Sequence, residues 1–324
     1  MCTAATYMTK GAYFGRNLDY EMSYGESVVI VPRNFAFNFR EAGAMPSHYA
    51  MIGIAHVADN YPLFYDAANE KGLGIAGLNF VGNAAYNDHV DGKDNVAQFE
   101  FIPWILSQCA TTAEAKALLQ KMNFRNLDFS PQLPTAALHW IISDGKDHIV
   151  VESMANGLNV YDNPVGILTN NPPFDKQLLQ LSNYQHLTAT APENKLAPGY
   201  DFPVYSRGMG AIGLPGDLSS ESRFAKAAFT KLKSLSADDE ISSVSQFFHI
   251  LHSVDQQNGC CDLGDNKYEH TLYSSCYSLQ EQMFYYTCYN NHQITAYDLK
   301  KANLDGSDLF ATPMIETEQI NYQN

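Results

Sequence analysis

Short runs of apolar residues, alternating with polar ones and broken by Gly, Asn and Asp, set the rhythm of this chain from its first positions. Residues 3 to 8 and 12 to 18 read as two strands around a Thr9-Lys10-Gly11 turn, and Ser27 to Val31 as a third, rich in β-branched residues. Strand patterning continues at 50 to 57, 63 to 68 and 73 to 80, the last two joined by Asn69-Glu70-Lys71-Gly72. The period then lengthens. Phe99, Ile102, Ile105 and Leu106 fall on one helical face, and Thr111 with Glu114 three residues on opens a second helix as a capping box. Residues 137 to 143, 148 to 154 and 158 to 162 form a meander punctuated by Asp144-Gly145 and Asn156-Gly157.

A short strand over 165 to 169 runs into Asn170-Asn171-Pro172-Pro173, with a helix from about Phe174. Residues 190 to 218 are irregular and rich in Gly and Pro. Ser219 or Ser220 then caps a helix carrying Phe224, Ala228 and Leu232, with another helix over about 241 to 254. Three strands follow, near 268 to 277, 283 to 289 and 292 to 298, and the tail after 305 is expected to be weakly ordered. Helices come in groups instead of alternating with strands, so the pattern predicts an α+β layered fold with largely antiparallel sheets. No repeat or low-complexity linker divides the chain, which predicts one domain over 1–324.

Composition narrows the function. Among 324 residues, 35 acidic against 20 basic side chains give a net charge of −15, which opposes a phosphate-bearing nucleic-acid partner. No apolar run reaches the ~18 residues of a membrane helix and the start lacks a signal-peptide core, so a cytoplasmic protein with no membrane partner is expected. The six cysteines and ten histidines show no metal spacing, and five of the cysteines are expected to be buried small hydrophobes. Gly72-Leu73-Gly74-Ile75-Ala76-Gly77 is a literal GxGxxG, but a hairpin turn precedes it and a strand contains it. A dinucleotide site needs a strand before the glycines and a helix opening at them, so that reading is rejected.

Cys2 is the exceptional cysteine. A start methionine followed by a small residue is the kind normally trimmed, and trimming would leave Cys2 with a free α-amine beside its thiol. The ordinary pKa values, ~7.7 to 8.0 for an α-amine and about 8.5 for a thiol, would then put base and nucleophile on one residue. Arg16, in the same stretch, could favour the thiolate.

Six separated blocks extend the picture: MCTAATY at the start, FGRNLDYE at 14 to 21, NEKGLGIAGLNF ending at Phe80, LHW at 138 to 140, ILTNNPPF at 167 to 174 and GLPGDLSSESRF at 213 to 224. Together they resemble the choloylglycine hydrolase family, which contains bile salt hydrolases and penicillin V acylases. The resemblance implies a four-layer αββα fold of the N-terminal nucleophile hydrolase type, with two packed, largely antiparallel sheets. It implies Cys2 as nucleophile once Met1 is lost, Arg16 close to the thiol, Asp19 holding the α-amine, Asn79 and Asn170 lining the oxyanion hole, and Arg223 as the remaining site arginine. Leu18, Tyr24, Phe129 and Leu133 match positions lining the family's acyl pocket.

The implied reaction is hydrolysis of the amide bond of glycine- or taurine-conjugated bile salts through an acyl-enzyme, with no metal or organic cofactor and in a homotetramer. Asn79 favours bile salts over phenoxymethylpenicillin, since penicillin V acylases of the family often carry tyrosine there. Two other classes remain: a non-catalytic binder of amphipathic acids, and a redox sensor built on Cys2, which would need a partner thiol that no cysteine near it in sequence offers.

Overall fold

The computed structural model describes all residues, 1–324. The strands of its two large sheets are β1 (Cys2–Met8), β2 (Ala12–Tyr20), β3 (Ser27–Val31), β4 (Met51–Ala58), β5 (Tyr61–Asn69), β6 (Gly74–Asn79), β7 (Leu138–Ser143), β8 (His148–Met154), β9 (Gly157–Asp162), β10 (Ile167–Leu168), β11 (His270–Ser278), β12 (Met283–Cys288), β13 (Asn291–Asp298) and β14 (Phe310–Pro313), with three small two-stranded sheets beside them. They form two antiparallel sheets, six-stranded in the order β10-β1-β2-β11-β12-β13 and eight-stranded in the order β9-β8-β7-β6-β5-β4-β3-β14. The expected α+β class and paired antiparallel sheets are both present.

Helices α1 (Phe101–Gln108) and α2 (Thr112–Leu119) cover the eight-stranded sheet. Helices α4 (Ser220–Lys233) and α5 (Glu240–His252), with α3 (Phe174–Leu181) beside α4, cover the six-stranded one. One apolar cluster fills the space between the sheets and under α4 and α5, from Phe14, Ile54, Leu78 and Ile141 to Phe224 and Phe247. A second lies between the eight-stranded sheet and α1 and α2, where Trp140 stacks on Phe124 with centroids 4.7 Å apart. These interfaces give the four layers.

Several local expectations changed. The tail carries β14, whose Phe310 pairs with Ile30, so the segment after 305 closes an edge of the larger sheet; Pro313 is tolerated there because an edge strand needs fewer donors. Leu232 is exposed, and the buried stripe of α4 runs instead through Phe224, Ala225, Ala227 and Ala228. Ser219 is the N-cap residue of α4 without a side-chain cap bond; Asp217 instead braces the entry turn, accepting from Ser219 N at 2.9 Å and from Ser222 Oγ at 2.6 Å. Thr111 does cap α2, accepting from Glu114 N at 3.2 Å. Gly74 and Gly77 lie inside β6, where an added Cβ would stand 2.6 Å from Phe14 Cδ1 and 3.0 Å from Trp140 Nε1. Close packing, with no phosphate loop, accounts for them.

Candidate active site

Pairing of β1 with β2 sets Cys2 opposite Leu18 and Ala4 opposite Arg16, so the opening thiol and the arginine come together through register alone. The pleat then divides the side chains of β2 between two faces. Arg16 leaves toward the eight-stranded sheet, donating from Nη1 to Gly77 O at 2.5 Å and Tyr65 O at 3.3 Å; Asn17 leaves toward α5, donating to Leu251 O at 3.0 Å. Arg16 is fully buried and its Nη2 has no partner within the protein. Burial works against its charge, but Cys2, Tyr273, Asp66 and Asp19 outweigh that and hold its pKa above the ordinary arginine value. A buried guanidinium with one unused donor beside a thiol is a ready anion site.

Asp19 is fully buried. Its Oδ1 accepts from Thr271 Oγ1 at 2.7 Å, and Thr271 Oγ1 in turn accepts from Gln256 N at 2.9 Å, which aims the hydroxyl proton at Asp19. Oδ2 is left without a hydrogen bond, with Arg223 Nη1 4.0 Å away. Arg223, carried into the layer behind β1 by α4, donates from Nη1 to Cys2 O at 2.5 Å and Thr3 Oγ1 at 2.6 Å, and from Nη2 to Asn170 Oδ1 at 2.8 Å. Burial pulls its pKa below the ordinary value, with Asp19 and Cys2 opposing. This arginine grips the backbone of Cys2 instead of facing the cavity.

Asn170, just beyond β10, accepts from Cys2 N at 2.8 Å and donates from Nδ2 to Asn79 O at 2.8 Å. One amide thus ties the N-terminal residue of β1 to the C-terminal residue of β6. Asn79 itself lines the cavity, its Oδ1 accepting from Val81 N at 3.3 Å, which turns Nδ2 to the open side. With Met1 present, the Cys2 nitrogen is a peptide amide. The Met1 ammonium donates to Asp19 O at 2.8 Å and pairs with Glu269, a buried carboxylate whose pKa burial raises.

A cavity of about 520 Å³ opens on this group, lined by Cys2, Arg16, Asp19 and Asn79 and, further out, by Leu18, Tyr24, Phe129 and Leu133. All four residues matched to the acyl pocket are therefore in its wall. Phe129 and Leu133 sit on one tight loop closed by Phe129 N donating to Leu133 O at 3.1 Å. Phe129 packs edge-on to Phe99 at 5.3 Å, under the Arg40 guanidinium at 5.6 Å. Tyr24 stacks on Tyr20 at 5.9 Å, so the loop after β2 does form a pocket wall.

The family described as linear amide C–N hydrolases, choloylglycine hydrolase family, matches residues 2–312. The chain belongs to the choloylglycine hydrolase family. It is a hydrolase of linear amide C–N bonds with the N-terminal nucleophile hydrolase fold. A bile salt hydrolase/transferase from Lactiplantibacillus plantarum is 52% identical over 314 residues, 97% of each chain. A mutant of the conjugated bile acid hydrolase from Clostridium perfringens superposes with a TM-score of 0.92 at 36% identity, covering 100% of both chains. The penicillin V acylase of Agrobacterium tumefaciens shares the fold, with a TM-score of 0.76 at 18% identity over 96% of this chain and 90% of that one.

Within this choloylglycine hydrolase scaffold, sequence reasoning overlooked Thr271, Glu269 and Asp66, which meet the site only through strand pairing and packing across the two sheets. It also misjudged two cysteines: Cys260 is exposed and Cys261 part-exposed. Cys261 stands beside the N-terminus, its carbonyl accepting from Glu269 N at 2.9 Å.

Proposed function

We propose that the chain hydrolyses the amide bond of glycine- or taurine-conjugated bile salts, with Cys2 as nucleophile in a chain from which Met1 has been removed. The observation that supports this reading is the Cys2 thiol at the wall of a mainly apolar cavity, between the fixed charges of Arg16 and Asp19. A steroid acyl group needs such a wall, and the curated relatives named for bile salts align along nearly the whole chain.

Loss of Met1 would free the α-amine and remove the ammonium that Glu269 now holds. The unpartnered Asp19 Oδ2 would receive the amine, and Asn170 Oδ1 would keep it in place. The amine takes the thiol proton as Sγ bonds to the carbonyl carbon. Negative charge then builds on the carbonyl oxygen, next to Asn79 Nδ2, and a donor of this kind contributes ~2.7 to 4 kcal/mol in comparable sites. Asn170 holds Asn79 in place through its carbonyl. Collapse breaks the C–N bond while the ammonium passes its proton to the leaving amine. Water, deprotonated by the same amine, then hydrolyses the thioester and returns the thiol.

The test is a substrate panel of glyco- and tauro-conjugates with penicillin V, scored by amino acid or penicillin-nucleus release. Conjugates are expected to exceed penicillin V in kcat/KM, and the reverse order would overturn the substrate assignment.

The chain is also expected to assemble as a homotetramer. Its irregular arm, pinned at the base by Thr188 N donating to Gly210 O at 2.9 Å, exposes Leu196 at 90% and Tyr205 at 80% along with Tyr200, Phe202 and Val204. Light scattering that returned a monomer mass would refute this. We further assign the protein to the cytoplasm, in keeping with six unpaired cysteines; recovery mainly from the culture medium would contradict it. No helix is long and apolar enough to cross a membrane.

A further inference from the structure

Asp66 is a carboxylate with no place in the reaction above, yet it lies fully buried in the space between the two sheets. It sits on β5, flanked across the sheet by Ile54 and Ala76, so its own sheet offers it no opposite charge. Its partners come from the facing sheet. Tyr273, Ser275 and Tyr277 alternate along β11, and the period of two puts their hydroxyls on one face, where all three donate to the carboxylate: Tyr273 to Oδ1 at 2.5 Å, Ser275 and Tyr277 to Oδ2 at 2.7 Å each.

The direction of these bonds is fixed. Ser275 Oγ accepts from Arg16 N at 3.2 Å, so its own proton is free for Asp66, and neither tyrosine hydroxyl has another acceptor within the protein. Three donors converging on one carboxyl group suit the anion, since a protonated acid would add a fourth proton with nowhere to go. Burial raises the pKa of this carboxyl; Arg16 and the three hydroxyls oppose that rise. Arg16 makes no direct ion pair with this carboxylate; the link runs from Arg16 N through Ser275 Oγ to Asp66, and from Arg16 Nη1 to Tyr65 O on the residue next to it.

We propose that Asp66 is the permanent counter-ion of Arg16, a positioning residue that balances the guanidinium through the whole catalytic cycle and thereby limits how strongly Cys2 is driven to its thiolate. The need for it follows from the cycle. Cys2 can neutralise Arg16 only as a thiolate, whereas as a thiol or a thioester it carries no charge. Asp19 is the other carboxylate that acts on Arg16, and with it given over to the α-amine a fully buried guanidinium without Asp66 would be poorly compensated in those states. The other charged groups around Cys2 have their own places: Arg223 holds the Cys2 carbonyl and Asn170, Asp19 holds Thr271 and would receive the freed α-amine, and Glu269, released when Met1 is lost, stands at the amino terminus. Cys261 and Tyr65 stand close and carry no charge as a thiol and a phenol, Glu26 in the cavity wall is engaged by Ser23 Oγ and Tyr24 N, and His56 packs on Tyr24.

Asp66 cancels part of the field of Arg16 at the thiol, so replacing it by neutral asparagine makes that site more positive and favours the thiolate. In Asp66→Asn, the pH profile of Cys2 alkylation by iodoacetamide, followed by mass spectrometry at Cys2, is expected to shift its acid limb down by about one unit. The plateau rate should fall roughly threefold, because a less basic thiolate is a weaker nucleophile. Tyr277→Phe keeps the carboxylate but removes an O–H dipole that partly cancels its field, so its limb should move the other way by less. A folded variant of either kind whose limb does not move, whatever its melting temperature, would reduce Asp66 to a tie between sheets and overturn the proposal. Alkylation needs no bile salt, so this outcome is separate from failure of the substrate assignment, which rests on the panel above.

Discussion

Replacing Cys2 by alanine is expected to lower release of glycine or taurine by about 10⁵-fold or more while leaving the fold and the binding of conjugated substrate intact. The magnitude follows from what a nucleophile contributes when it works with its base as one unit. The specificity of the loss follows from the surroundings. Cys2 is buried to 4% exposure, and its backbone carbonyl and nitrogen, not its sulfur, make the contacts with Arg223 and Asn170. Alanine preserves both. Equilibrium binding of a conjugate to the variant, alongside the turnover assay, checks the two halves together. A non-catalytic binder would show no change in ligand response, and residual turnover within tenfold of the parent would remove Cys2 from the mechanism.

The second large effect concerns the residue in front of it. A chain extended upstream so that Met1 cannot be excised is expected to lose at least about 10³-fold in turnover, from the absence of a general base alone. The peptide nitrogen of Cys2 donates its proton to Asn170 Oδ1 and cannot accept one. Met1 also stands in the wall of the cavity, with its ammonium on Glu269 beside the thiol. The thiol should remain open to iodoacetamide in the blocked chain. Turnover lost with alkylation retained would separate the amine from the sulfur, and proteolytic removal of the extension together with Met1 should restore activity.

The sheets were legible because period two is a strong signal. Ser27–Val31 matches its expected span, and the pairs around Thr9-Lys10-Gly11 and Asp144-Gly145 form as read. β10 is shorter than expected because only Ile167 and Leu168 find partners on β1, and β14 was missed because a four-residue edge strand ending in Pro313 carries too little pattern to outweigh its polar surroundings.

The site divides the same way. Cys2, Arg16 and Asp19 share one hairpin and Asn79 ends a glycine-rich strand, so local motifs exposed them. Thr271, Glu269 and Asp66 could not be found by spacing, because they come near Cys2 and its neighbours across pairings such as Thr271 with Asp19 and across the gap between sheets. The alternation of hydroxyls at 273, 275 and 277 was visible in the sequence, but its meaning depends on a carboxylate that only the facing sheet supplies.

The most direct test pairs the intact mass of the protein with its activity. Preparations in which Met1 has been removed to different extents should release glycine or taurine from conjugated bile salts in proportion to the fraction lacking Met1, with none from the fully retained chain. Full activity in a preparation whose mass shows Met1 on every molecule would contradict the assignment of the Cys2 amine as the base.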